Sequence, residues 1–193
     1  MPRPNRSEER RAELIPILAR AFADLGYASA TTAALAEAAG LRENQLYRLW
    51  PSKKAMFLAT IEHLYDLQTR WWSQMLAESD PAEAARRILE EEGRHRGESG
   101  LHRIIFAGLS EADDPEIRAA MANFYQRFHK FIVTVLKRKP GPNDCATPPP
   151  LAAWSLIALG TFSNIARELD IFGIPTQRRL MSEVGAALAG LDD

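Results

Sequence analysis

At 193 residues, the chain has room for one domain of usual size or for two small ones that share a core. It is 46% hydrophobic and 25% charged, a balance that excludes an intrinsically disordered chain. Its formal net charge of −1 excludes a uniformly basic protein, and the single cysteine, Cys145, excludes an internal disulfide framework and a cysteine-rich zinc site.

The charge is uneven. Residues 1–54 hold nine basic side chains against six acidic ones, whereas the remainder holds 15 basic against 19 acidic. A basic head on an acidic body can engage phosphates through one end only. The opening MPRPNRSEERR is too polar for a secretory signal. The longest mostly apolar run, Leu151–Phe162, falls well short of the ~20 residues needed to cross a bilayer. A soluble cytoplasmic protein without membrane contact is the expectation.

Every segment reads as helix, and no stretch alternates with period two. The first helix begins near Ser7-Glu8-Glu9, carries Leu14, Leu18, Phe22 and Leu25 at helical spacing, and ends at Gly26. Pro16 lies inside it and removes a backbone hydrogen bond, so a bend or a late start is expected there. Thr31 or Thr32 caps a second helix that ends at Gly40, and a third runs from about Glu43 to Trp50. Pro51 opens a long fourth helix through roughly Leu76, because proline is tolerated at the first helical position.

Asp80-Pro81 opens a fifth helix, punctuated at its end by Gly93, Gly97 and Gly100, and residues 101–110 make a short sixth. Asp113-Asp114-Pro115 starts a seventh, with Ile117, Met121, Phe124, Phe128 and Phe131/Ile132 on one stripe. The stretch PGPNDCATPPP (140–150) is a loop by composition. Leu151–Phe172 is an eighth helix, apolar nearly all round in its first half; Pro175-Thr176 opens a ninth with Leu180, Val184, Leu188 and Leu191 on one face. The fold class is all-α with about nine helices, divided at residues 1–54 and 55–193.

Counted from Thr32, the second and third helices carry the pattern of a helix-turn-helix. Ala36 is the small residue where the two helices touch, and Gly40 is the turn residue that can take a positive φ. Leu35, Ala39, Leu41, Leu46 and Leu49 fill the inner positions. With Leu46 and Leu49 turned inward, Arg42, Glu43, Asn44, Gln45, Tyr47 and Arg48 face outward or stand at the helix start. Arginine can read guanine, Asn or Gln adenine, and Glu the cytosine amino group. Tyr47, Arg48, Lys53 and the N–H groups after Pro51 suit phosphate oxygens. A merely solvated polar face would explain neither the basic head nor the Pro-Ser-Lys-Lys that follows.

Residues 18–64 resemble the DNA-binding domain of the tetracycline-repressor (TetR) family. The resemblance is carried by Phe22, Gly26-Tyr27, Thr31-Thr32, Ala36/Ala39-Gly40, Leu46-Tyr47, Trp50 and Pro51-Ser52-Lys53. The sequence departs from the family pattern in three ways. Arg42, Glu43, Asn44 and Gln45 stand where Ser, Lys, Gly and Thr are common, so operator preference does not carry over. Ala33 stands where a basic contact is common, and Pro16 is unusual in a first helix. The resemblance implies contacts to double-stranded DNA through Thr31, Thr32, Arg42, Glu43, Asn44, Gln45, Tyr47, Arg48 and Lys53.

It also implies an N-terminal three-helix domain joined by a long fourth helix to a helical effector-binding and dimerisation domain. The eighth and ninth helices would form a four-helix interface in a homodimer, through Leu156, Leu159, Leu180, Val184 and Leu188. Separately, Leu151–Phe162 is apolar around more than one face and needs cover on two sides, and Gly185, Ala186, Ala187, Ala189 and Gly190 permit close approach to a neighbour.

Small-molecule sensing is the second activity that the resemblance implies. Trp71, Trp72, Met75, Phe106, Phe124, Tyr125, Phe128, Trp154 and Phe162 occupy helical positions that can line a cavity, although such stripes also build plain core. His102, Asn164, Arg167 and Glu168 are polar groups to watch, because a buried polar group needs a partner. The expected effector is small and apolar or amphipathic.

Catalysis finds no support: His63, His95, His102 and His129 form no metal or nucleophile motif, and no glycine-rich phosphate loop occurs. No cofactor and no metal are expected. Lys137-Arg138-Lys139 complements the negative end of the seventh helix, and Cys145 beside Asp144 shows no sign of a lowered pKa. The expected function is a transcriptional regulator, a repressor released by its effector. The alternative is an all-helical ligand- or partner-binding protein whose helix-turn-helix packs on something other than DNA.

Overall fold

The computed structural model describes residues 6–78, 80–95, 100–137 and 147–191; Cys145, Arg138 and Lys139 lie outside them. In chain order the helices are α1 (Arg6–Ser29), α2 (Thr32–Ala38), α3 (Glu43–Leu49), α4 (Lys53–Glu78), α5 (Pro81–His95), α6 (Arg103–Ser110), α7 (Pro115–Leu136), α8 (Pro149–Glu168), α9 (Ile174–Arg179) and α10 (Gly185–Ala189). A π-helical turn, Leu180–Val184, joins the last two without a break. Among the described residues no strand occurs, and no helix is long and apolar enough to cross a membrane.

The chain divides into two compact units, residues 1–67 with 100–124 and residues 68–99 with 125–193, so the division falls inside α4 and α7. The N-terminal unit is therefore larger than residues 1–54. Its core is Leu14, Leu18 and Phe22 of α1 with Leu35, Leu46, Met56 and Phe57, all essentially out of water. Phe22 meets Phe57 edge-on at 5.1 Å between centroids, and Tyr27 lies 4.8 Å from Phe57. Aromatic pairs in this range add to plain burial. α6 packs on α1.

Local chemistry sets the helix ends. Thr31 caps α2 by accepting from Ala34 N at 3.1 Å. Gly40 (φ +64) closes α2, with Leu41 N on Ala36 O at 2.9 Å and Gly40 N on Glu37 O at 3.0 Å, a Schellman arrangement. α4 begins at Lys53 rather than at Pro51, because Ser52 Oγ accepts from Ala55 N at 3.0 Å and so serves as the cap. Asp114 Oδ1 caps α7 through Glu116 N at 2.9 Å and Ile117 N at 3.2 Å.

Pro16 does not delay α1, whose helical run starts at Arg6. Pro16 and Ala12, the residue whose carbonyl loses its donor, are both exposed. Water can satisfy that carbonyl, so the lost bond is tolerable on this face.

In the second unit, α5 packs on α9 and the π-turn, and α8 packs on α10. Leu89, Met181 and Leu191 form a buried cluster, with Leu156, Leu159, Ala186 and Ala189 against it. Two sequence expectations change here. α8 stops at Glu168 instead of continuing to Phe172: Asp170 takes φ +50 and Ile171 N turns back to Ala166 O at 2.9 Å. The π-turn also breaks the stripe expected on the last helix. Met181, Gly185 and Leu191 are buried, whereas Val184 is exposed and Leu180 and Leu188 are half-buried.

Candidate functional site

α3 buries Leu46 and half-buries Leu49, and Trp50 behind it is buried. That orientation leaves Arg42, Glu43, Asn44, Gln45, Tyr47 and Arg48 all exposed, five of them on a helix of seven residues. Thr31 is exposed and Thr32 half-buried at the start of α2. The Tyr47 hydroxyl donates to Thr32 Oγ1 at 3.4 Å, which brings residues from α2 and α3 to one edge. Of the polar set expected from the sequence, Thr31 and the six residues from Arg42 to Arg48 are exposed, and Thr32 and Lys53 are half-buried.

Several side chains hold that face in place. Gln45 Oε1 accepts from Arg42 N at 2.9 Å, closing the start of α3. Arg11 Nε donates to Leu49 O at 2.7 Å, placing a cation at the negative end of α3. Lys53 Nζ donates to Tyr27 O at 2.9 Å and ties the start of α4 to the end of α1. Lys54 Nζ lies 3.1 Å from Asp114 Oδ2 and 3.0 Å from Glu116 Oε1, which ties α4 to α7 within the same unit. The hydrogen bonds that Lys54 donates to Glu116 and then to Asp114 hold its ammonium above its ordinary pKa, and Lys54 in turn holds the Asp114 carboxyl below its own. Arg11 and Ser52 were not among the expected site residues. The role of Arg11 depends on a carbonyl 38 residues away that only the fold brings near, whereas Ser52 acts locally as the cap of α4.

The chemistry available on this face is hydrogen bonding to base edges and phosphates. Arg42 and Arg48 supply fixed charge, Asn44 and Gln45 supply amides, and Glu43 supplies an acceptor. Gln45 has one oxygen already engaged with the backbone, so its amide nitrogen is the atom left for recognition.

The second unit holds a cavity of about 60 Å³. Its walls come from α4 (Trp72), α5 (Ile88, Leu89, Glu92), α7 (Phe128, Ile132) and the α8 to α10 region. Trp72 and Phe128, expected in an effector pocket, do lie on this wall, with ring centroids 5.2 Å apart. The other pocket expectations fall elsewhere. Trp71, Trp154 and Phe162 are exposed, Trp154 stacking on His129 at 4.4 Å and Phe162 lying 6.1 Å from Phe172. Met75 is buried and Tyr125 half-buried, both away from the lining, and His102, Phe106 and Phe124 belong to the N-terminal unit. Asn164 Oδ1 is buried without a hydrogen-bond donor.

Leu156, expected at a dimer interface, lines the cavity, and Leu159 packs on the Leu89–Met181–Leu191 cluster. The sequence reading missed Glu92. Its signal was a charged residue on the apolar stripe of α5, in helical register with Ala85, Ile88 and Leu89.

Comparison with known proteins agrees with this geometry. Residues 18–60 match the family described as bacterial regulatory proteins, tetR family. The nucleoid occlusion factor SlmA of Haemophilus influenzae is 30% identical over 135 residues, covering 68% of this chain and 62% of that protein. The chain thus matches less than two thirds of that relative's length. A TetR-family regulator from Rhodococcus sp. superposes with a TM-score of 0.78 at 17% identity, covering 94% of this chain and 99% of that one. AibR, solved with isovaleryl coenzyme A and operator DNA, gives 0.66 at 15% identity and covers 92% and 96%. With the helix-turn-helix geometry and the matched residues together, residues 18–60 form a DNA-binding domain of the tetR family of bacterial regulatory proteins, and the chain as a whole shares the fold of TetR-family regulators.

Proposed function

We propose that the protein is a DNA-binding transcriptional regulator that acts as a homodimer, represses from an operator and is released by a small apolar or amphipathic effector. The observation that carries this reading is the face of α3, where Arg42, Glu43, Asn44, Gln45, Tyr47 and Arg48 stand exposed together on a supported helix-turn-helix. Thr31, Thr32 and Lys53 flank it and suit phosphates.

Dimerisation is supported by apolar surface on α8 and the π-turn. Leu151, Trp154 and Phe162 share one side of α8 and are exposed, as is Val184 at 44%. Large apolar side chains left exposed in this way mark an interaction site. Leu180 and Leu188 are partly exposed and can extend it.

Release requires an effector that binds the DNA-free conformation more tightly than the DNA-bound one. α4 offers the connection within one element, since Lys53 begins it and Trp72 of the cavity wall lies five turns on. The bound molecules in the AibR structure support a fold that can serve both ligands.

The deciding experiment is a salt titration on operator fragments. Log affinity should fall linearly with log salt, by about 0.9 per phosphate neutralised. A shallow slope with no sequence preference would favour the partner-binding alternative. The likeness to the nucleoid occlusion factor SlmA supports a second reading, a role in nucleoid occlusion. Chromosome-wide binding sites without change in transcription of the adjoining genes would favour that one.

A further inference from the structure

Among the described residues, the cavity of the second unit has one ionisable lining side chain, Glu92, amid Ile88, Leu89, Ile132, Leu156 and Met181. Glu92 is 8% exposed. Its Oε1 accepts from Gln68 Nε2 at 2.8 Å and from Trp72 Nε1 at 3.3 Å. A carboxylate withdrawn from water needs donors, and these two neutral ones, a turn apart on α4, orient it at the wall. Trp72 is also an aromatic surface, with Phe128 at 5.2 Å and Phe131 at 5.9 Å between centroids.

An acidic acceptor beside aromatic faces in an otherwise apolar cavity recognises an organic ammonium. The nitrogen gains a charge-assisted hydrogen bond or ion pair together with attraction to the ring faces. A neutral head gains less, and an anionic head is repelled. The volume of about 60 Å³ admits roughly four waters' worth of ligand, which suits a compact head followed by the start of an apolar chain.

We propose that the cavity binds an amphipathic organic cation, its ammonium nitrogen at Glu92 and its alkyl chain along Ile88, Ile132 and Leu156. This rests on the effector reading above and names the ligand class for it. Because Gln68 and Trp72, which donate to Glu92, sit on α4, a nitrogen that competes for the carboxylate alters the contact between α4 and α5 directly.

The test titrates the full chain at neutral pH with n-octylamine, 1-octanol and octanoate, followed by calorimetry and by DNA affinity. The amine should bind about tenfold or more tightly than the alcohol, and octanoate should bind most weakly. Glu92→Gln, which keeps the shape and an acceptor oxygen, should abolish the amine preference and leave octanol binding in place. Octanol binding as tightly as octylamine in the unmodified protein overturns the cation assignment alone. So does an amine preference that survives in Glu92→Gln. If that variant does not fold, the ranking in the unmodified protein decides. Absence of binding by all three, with DNA affinity unmoved, removes the effector reading and this proposal with it.

Discussion

The ammonium of Lys53 donates to the Tyr27 carbonyl at 2.9 Å and stands 4.4 Å from the centroid of the same residue's ring. A side chain expected to meet phosphate therefore also fastens the start of α4 to the end of α1. Lys53→Met keeps the aliphatic stem and removes the charge. It should lower the melting temperature by about 2–4 °C and weaken specific and random DNA alike, reducing the salt slope by about 0.9. An earlier melt with an unchanged slope would assign Lys53 to the helix tie alone.

Base reading should divide between Asn44 and Gln45. Asn44→Ala should relax preference at one base pair by roughly 1–3 kcal/mol without weakening random DNA. Gln45→Ala should do the same and also destabilise α3, because Gln45 Oε1 closes its first turn. Gln45→Glu retains that acceptor and removes the amide donor, so specificity should change with little loss of stability. Selection from randomised operators, read beside thermal melts, separates the two effects.

Val184 is a sharper probe of the proposed dimer interface than Leu188, since it is 44% exposed in the single chain whereas Leu188 is half-buried. Val184→Glu should leave the monomer fold intact and place an unpaired charge in the apolar contact, which is strongly unfavourable. Sedimentation at micromolar concentration should show monomers. A dimer of unchanged stability would move the interface elsewhere.

The Lys54–Asp114–Glu116 cluster sets an acid limit. Asp114, held below its ordinary pKa, contributes stability that is present above its unfolded value and is lost as pH falls through the folded one. Lys54, held above its own, contributes stability present below its unfolded value and lost as pH rises through the folded one. The contribution should be flat from about pH 5 to 9 and fade below about pH 4 and above about pH 10.5. Asp114→Asn keeps the cap on α7, so its melting temperature should differ from the parent at neutral pH and converge with it in acid.

Gly93 of α5 lies close against α9 and the π-turn. A Cβ there would lie 3.2 Å from Arg178 Cα and 3.3 Å from Met181 Cβ. The first is backbone and cannot swing aside. Gly93→Ala should destabilise by about 1 kcal/mol net, the overpacking outweighing the gain in helix propensity. A stabilised variant in denaturant titrations would mean that the two helices part easily.

Much of the DNA-facing part was legible because its signals are local. A threonine hydroxyl that reaches Ala34 N, a glycine at φ +64 and the inward turn of Leu46 each depend on a few neighbouring residues. They fix the helix ends and the outward set of α3 whatever packs behind them. Pro16 shows the limit of such reasoning: the rule against interior proline holds, but its consequence depends on which face the proline occupies, and here that face is wet.

The second unit was decided by packing. The sequence determined that the α8 segment is apolar on more than one face, but not that Leu156 lines a cavity while Trp154 lies exposed. It determined a leucine-rich last helix, but not the π-turn that separates Val184 from the buried Met181, Gly185 and Leu191. Nor did it single out Glu92, whose meaning comes from Gln68 and Trp72 more than a dozen residues away. Helical periodicity records which residues share a side of one helix. A cavity and its carboxylate depend on where four or more helices cross, and that is set by side-chain volumes summed over distant segments.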